Sequence, residues 1–249
     1  MKLSILMPVY NESTTLTAAV DRVLAVEYGC EIELVIVDDG SVDSTPQLLQ
    51  GVRDPRVIQR RHPHNRGKGA AIRTAAQAAT GDYVIMCDAD LEYAPEEIPL
   101  LMAPALAGTS LVVYGTRTFG SHTAFSFWYV LGNKAVTLAA NVLFNSYISD
   151  LETCFKLLPL ALYRDLDITE VGFGMEAEIT GKLLRAGHRP YEVPISYAAR
   201  TREEGKKLTW RDGVEALWIL ARLRLTYRPP SSTLSQRAPL DRTPPSSVV

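Results

Sequence analysis

The apolar positions of this chain follow two rhythms. Short, nearly unbroken apolar runs at residues 3–9, 32–37 and 83–87, with a shorter one at 57–61, read as buried strands. Between them the apolar residues recur every three or four positions. Across residues 13–26, Leu16, Val20, Val23 and Leu24 share one face, which predicts a helix. Ser44-Thr45-Pro46 marks a second helix start, with proline near the first helical position. The alanine-rich stretch 69–79 predicts a third helix, closed by Thr80-Gly81-Asp82. Pro95-Glu96-Glu97 opens a fourth, with acids in the first turn, where the helix dipole favours them. Another strand is expected at 111–114. This alternation predicts an α/β fold, a mostly parallel central sheet with helices on both faces, in a single domain.

The second half is less regular. Residues 125–144 predict a helix, 153–158 a strand, and 175–186 a helix ended by Gly187. A strand at 191–195, a charged loop at 200–207 and an amphipathic helix at 214–225 follow. From Pro229 onward the chain is rich in Pro, Ser and Thr, so residues 229–249 are expected to be a disordered tail and 1–228 the folded domain. No internal repeat is visible.

Composition narrows the class. The 249 residues, 47% hydrophobic and 22% charged, suit one globular domain. A net charge of −2 gives no basis for bulk nucleic-acid binding, so no nucleic-acid partner is expected. Cys30, Cys87 and Cys154 are few, odd in number and far apart, which suits reduced thiols in the cytoplasm. The first apolar run leads straight into Tyr10-Asn11-Glu12, unlike a signal peptide. The longest apolar tract, 125–148, is broken by Asn133-Lys134 and Asn141. It suits the surface of a membrane better than its interior.

Polar clusters follow four predicted strands: Pro8-Val9-Tyr10-Asn11-Glu12, Asp38-Asp39-Gly40-Ser41, Asp88-Ala89-Asp90-Leu91-Glu92 and Gly115-Thr116-Arg117. The carboxyl ends of parallel strands form the ligand crevice of an open sheet. Taken alone, Asp-Asp-Gly-Ser is a common turn. Four polar clusters on one edge ask for more than turn chemistry. On an extended chain Asp88, Asp90 and Glu92 point to one side, and their repulsion calls for a cation. Hard oxygen ligands favour Mg²⁺ or Mn²⁺, held by Asp90 and Glu92 and bridging a diphosphate, with Asp88 on the ribose or assisting the metal. The Walker pattern is absent, and the first loop lacks G-x-G-x-x-G. Asn65-Arg66-Gly67-Lys68-Gly69, which opens a helix, reads either as a phosphate or nucleobase contact or as a plain helix cap.

Together these motifs, with Asp43, Thr45 and Glu192-Val193-Pro194-Ile195, resemble family 2 glycosyltransferases of the GT-A fold, closest to the dolichol- and polyprenol-phosphate mannose synthase branch. The resemblance runs from Lys2 to about Tyr227. It implies that Pro8, Tyr10, Glu12 and Asp39 hold the nucleoside, that Asp88-Ala89-Asp90 is the D-x-D-type motif, and that Glu92 is a further metal ligand. It implies that Arg117 faces an acceptor phosphate and that the 200–207 loop folds over the diphosphate. In that loop Arg200, Arg202, Gly205, Lys206 and Lys207 match the family pattern only with a small shift, which leaves two arginines and two lysines as alternatives. Near residue 133 the family carries a basic and hydroxyl pair, where this chain has Asn133-Lys134. A C-terminal membrane anchor, which some relatives carry, is not expected here.

The expected reaction is a single inverting displacement from a nucleoside-diphosphate sugar, GDP-mannose by resemblance, to a polyprenyl phosphate. A phosphate acceptor needs positioning by Arg117 and Lys134 more than a base. A hydroxyl acceptor with a UDP-sugar donor is the alternative, and it would need Asp150 or Glu152 as base, although Asp150 equally suits a turn cap. A sugar nucleotidyltransferase ranks below, since its glycine-rich first loop is replaced by Pro-Val-Tyr-Asn-Glu. A non-catalytic scaffold would gain nothing from converging carboxylates. The tract with Phe125, Phe127, Trp128, Tyr129 and Leu131 and the helix bearing Leu217, Trp218, Leu220, Ala221, Arg222 and Arg224 suit peripheral membrane contact. The alternative is that both pack on the sheet.

Overall fold

The apolar runs do pair as strands. In the computed structural model, which describes residues 1–121, 127–200, 209–231 and 233, seven strands form one sheet among the described residues. They are β1 (Lys2–Val9), β2 (Glu31–Asp38), β3 (Val57–Arg61), β4 (Tyr83–Met86), β5 (Val113–Thr116), β6 (Lys156–Pro159) and β7 (Tyr191–Pro194). Their order is β3-β2-β1-β4-β6-β5-β7. All neighbours are parallel except β6, which runs antiparallel to both β4 and β5. The chain builds outward from β1 to β3, then returns to add β4 on β1's other side. That reversal is the topological switch where such sheets bind ligands, at the carboxyl ends of β1 and β4.

The helices are α1 (Leu16–Ala25), α2 (Thr45–Gly51), α3 (Lys68–Ala78), α4 (Ile98–Leu106), α5 (Phe127–Phe144), α6 (Leu160–Asp165), α7 (Met175–Ala186) and α8 (Trp210–Thr226). α3 packs on β1 and β2, and α4 on β5 and β7. The main core gathers the inner strands, with Leu3, Ile5, Leu34, Ile36, Ile85 and Leu157 fully buried. A second, smaller core joins α5, α7 and α8 through Val136, Ala140, Ala177, Ile219 and Leu220.

Several boundaries differ from the pattern, for local reasons. The helix expected at 13–26 begins at Leu16, after a turn in which the Thr15 and Leu16 N–H groups both donate to the Glu12 carbonyl. The strand expected at 111–114 is Val113–Thr116, because the Ser110 hydroxyl closes a turn on the Val112 carbonyl. The strand expected at 153–158 starts only at Lys156. The Cys154 N–H is held by the Tyr93 hydroxyl, and the buried Lys156 ammonium binds the carbonyls of Leu151 and Thr153. α6 was not expected. Of the predicted tail, Thr233 is buried and its carbonyl lies 2.8 Å from His188 Nε2, while residues 234–249 lie outside those described.

Candidate active site

The loops after β1 and β2 are tied together by the side chains that made them look like turns. Val9 pairs with Asp38 at the end of the ladder, and the Asp39 N–H donates to the Val9 carbonyl at 2.8 Å. Asn11, in the left-handed region at φ 54°, accepts from the Val42 N–H, while its own N–H donates to the Ser41 hydroxyl. Asp43 accepts from the Ser13 N–H, and the Thr45 hydroxyl accepts from the Glu12 N–H. Asp43 and Thr45 therefore shape the first loop and present Glu12. Pro8 and Tyr10 lie half-buried at the strand end.

Asp38 and Asp39 divide the work. The Asp38 carboxylate accepts from the Ser41 N–H, a local Asx turn. Asp39 reaches across to the basic glycine turn, accepting from the N–H groups of Arg66 at 3.0 Å and Gly67 at 2.7 Å and meeting His62 Nδ1 at 2.6 Å. Gly40 sits at φ 75°, and a Cβ there would collide with the backbone of His64. The first N–H groups of α3 are satisfied too: those of Gly69 and Ala70 donate to the Val171 carbonyl. The basic glycine turn thus acts as a packed helix start, and the member that reaches the acidic strand end is the Lys68 side chain. Lys68 bridges Asp88 at 2.8 Å and Glu176 at 2.9 Å. Burial alone would lower its pKa, but Asp88, Cys154 and Glu176 outweigh that and hold it well above the usual lysine range.

Asp90 and Glu92 meet Arg200. The Arg200 guanidinium lies 3.0 Å from Asp90 Oδ2 and 3.3 Å from Glu12 Oε2, and its backbone N–H donates to Glu92 Oε1 at 2.8 Å. The Tyr197 hydroxyl donates to the other Glu92 oxygen. Burial, then Asp88 and Glu92, push Asp90 up to about 7 despite Arg200. Among the described residues no group of three or more His, Cys, Asp or Glu is arranged to hold a metal ion unaided. A hard cation bridging a diphosphate needs only one or two carboxylates. Asp90 fits that role in donor type and in its excess of negative charge. Glu92 fits less well, since both of its oxygens already accept hydrogen bonds.

Arg117 leaves β5 into a rigid cradle. Its Nε and one terminal nitrogen donate to the two Asp150 oxygens, each at 2.7 Å, and its ring-facing side lies 4.9 Å from the Tyr197 centroid. Asn133 of α5 donates to the same carboxylate at 3.2 Å. Burial opposes ionisation of Asp150, but Arg117 and Asn133 outweigh it and bring its pKa below the ordinary value. That leaves Asp150 a poor base and a firm anchor. Arg202, Gly205, Lys206 and Lys207, expected over the diphosphate, lie outside the described residues, as does Phe125.

The reading from sequence missed Lys68 as an ion-pair centre, and it missed Glu176 and Tyr197. Glu176 opens α7, and nothing in its local pattern distinguishes it from other acids in a first helical turn.

A mostly parallel sheet with one reversed strand and an acidic strand end at its switch point has the architecture of a GT-A glycosyltransferase domain. The profile of glycosyl transferase family 2 matches residues 4–164, and the chain belongs to that family. It is 40% identical over 121 residues to the undecaprenyl-phosphate 4-deoxy-4-formamido-L-arabinose transferase of Proteus mirabilis, covering 47% of this chain and 36% of that protein. It is 29% identical over 215 residues to the dolichol-phosphate mannosyltransferase of Pyrococcus furiosus, covering 83% and 59%. The chain therefore spans between about a third and three fifths of the length of these curated relatives. Among solved structures, glucosyl-3-phosphoglycerate synthase from Mycobacterium tuberculosis with Mn²⁺, uridine-diphosphate and phosphoglyceric acid matches with a TM-score of 0.67 and 20% identity, covering 91% of this chain and 80% of that one. S. aureus TarS with UDP-GlcNAc gives 0.62 and 17%, covering 90% and 66%. At these identities the likeness is one of fold.

Proposed function

We propose that this protein transfers a sugar, with inversion, from a nucleoside-diphosphate donor to a polyprenyl phosphate at the cytoplasmic face of a membrane, with Mg²⁺ or Mn²⁺ at Asp90, and at Glu92 only once Tyr197 or Arg200 releases one of its oxygens. The observation that carries the acceptor is the shared use of Asp150. It fixes Arg117 at the sheet edge and is bonded to Asn133 of α5, a helix whose outer side is apolar and exposed. A phosphate held by Arg117 would thus sit at the root of a membrane-facing helix. On the donor side, Pro8, Tyr10, Glu12 and Asp39 surround the nucleoside, and Asp88 and Ala89 lie toward the ribose. Arg200 moves from Asp90 to the diphosphate, joined by Arg202 and Lys207. The metal, when bound, supplies charge neutralisation of the departing diphosphate. Arg117 orients an acceptor that is already anionic and needs no base.

The membrane side has physical support. On α5, Trp128, Leu131, Leu138 and Val142 recur at helical spacing and are 75%, 47%, 62% and 73% exposed. On α8, Trp210, Val214, Trp218 and Leu225 do the same, while Leu220 is buried. Two neighbouring helices with exposed apolar stripes suit an interface with lipid. Among the described residues no helix is long and apolar enough to cross a membrane.

GDP-mannose is the favoured donor, because of the resemblance to the mannose synthases. A UDP-sugar is the second reading, since the mycobacterial structure holds uridine-diphosphate. The test offers labelled GDP-mannose and UDP-glucose, with Mn²⁺, to undecaprenyl phosphate in detergent and to soluble hydroxyl acceptors. Transfer to the lipid phosphate that falls at least a hundredfold in Arg117→Ala is the expected result. Transfer only to hydroxyls overturns the lipid reading.

A further inference from the structure

At the strand-end cleft Asp88 is paired with Lys68, Asp90 with Arg200 and Asp150 with Arg117. Glu152, half-buried on the turn that leads into β6, makes no hydrogen bond or ion pair among the described residues. Its strongest charged neighbour is Glu176, which enters from the first turn of α7 and is 5% exposed. One Glu176 oxygen accepts from Lys68, and the other is buried without a partner. Two carboxyls from separate elements thus lie near enough to repel one another, each with unused acceptor capacity, and Lys68 links this place directly to Asp88. Burial and the nearness of Glu176 raise Glu152 to about 7.

Such an arrangement costs stability in the protein alone, because the enclosed Glu176 oxygen has lost its hydration without gaining a donor and Glu152 has lost part of its own. What it can take is limited by charge. An anion is repelled by both carboxyls. A second cation is disfavoured by Lys68 and by the buried Lys156, which faces the same two glutamates. A neutral molecule rich in hydroxyl donors meets neither objection. We propose that Glu152 and the free oxygen of Glu176 bind hydroxyl groups of the transferred sugar, making them specificity-determining residues at the glycosyl end of the donor site. This rests on the donor assignment above and adds to it the place where the sugar, as distinct from the nucleotide, is read.

The test separates the two by titration calorimetry with Mn²⁺, using UDP against UDP-glucose and GDP against GDP-mannose. In Glu152→Ala, affinity for the sugar nucleotide should fall about tenfold, while that for the matching free nucleotide stays within about twofold. Glu176→Gln, which keeps its bulk, should show the same split more weakly. Glu152→Gln provides the reading if the alanine variant fails to fold. It should no longer distinguish the better-bound sugar nucleotide from its monodeoxy-sugar analogues, which the wild type does distinguish. Equal weakening of both ligands, or none, overturns the assignment. So does unchanged sugar-nucleotide binding with lost turnover, which would make Glu152 a base. Wild-type protein that binds none of the four nucleotides overturns the donor assignment itself.

Discussion

Asp90 shows how one side chain can serve function at a cost to the fold. Its charge is buried beside Asp88 and Glu92 and only partly offset by Arg200. Asp90→Asn should therefore lower transfer at least a hundredfold and weaken sugar-nucleotide binding with Mn²⁺, while Tm in metal-free buffer is unchanged or higher. Near-native turnover would remove Asp90 from the metal assignment. Glu33 is the contrasting case, far from the cleft. Burial alone would raise its pKa, but hydrogen bonds from Lys2, Ser4 and Thr80 bring it from 4.5 down to about 2. A depressed folded-state pKa stabilises the protein above pH 4.5, and that contribution is lost as the pH falls from there toward 2. Urea midpoints measured from pH 7 to 2.5 should drop more steeply below pH 4.5 in the wild type than in Glu33→Gln. Parallel curves would show that Glu33 does not contribute.

At the level of elements, the basic glycine turn is shaped by its neighbours more than by any ligand. Gly67 sits at φ 95°, and a Cβ on Gly67 or Gly69 would run into the backbone carbonyl of Val171 or Glu170. Neither side of that contact can yield, because both are main chain. Gly69→Ala is expected to cost roughly 1–3 kcal/mol in chemical denaturation. A variant of wild-type stability would show that the segment before α7 can shift. The same crossing carries Lys68 to Glu176, so a shift should also weaken nucleotide binding. Antiparallel β6 is the other decisive element. Entering the sheet in reverse, it begins where β4 and β5 end, and the turn before it brings Asp150 and Glu152 to the cleft.

For the whole molecule, the second core sets the relation between chemistry and surface. α5 and α8 bury Val136, Ala140, Ile219 and Leu220 against α7 and turn their other sides outward. If that side meets lipid, replacing Leu138, Val142 and Trp218 together by glutamate should reduce co-sedimentation with anionic phospholipid vesicles at least fivefold. Tm should hold, since all three side chains are exposed. Equal sedimentation of variant and wild type would assign the stripe another partner.

The chain order of strands and, apart from α6, of helices, the four polar strand ends and the family were legible in the sequence, because they rest on short-range signals: apolar period, turn residues and motif order. The turn chemistry of Asp38, Gly40 and Ser41 belongs to the same range. What only the tertiary structure decided are pairings across long stretches of chain. Asp150 with Arg117, Lys68 with Glu176 and Arg200 with Asp90 depend on which strand lies beside which, and on β6 running backwards. Exposure of the α5 and α8 stripes was equally undecided. An amphipathic helix with apolar residues on two sides does not itself say which side the core takes, and here α7 settles it by packing against Ala140 and Ile219 while Trp128 and Trp218 face outward.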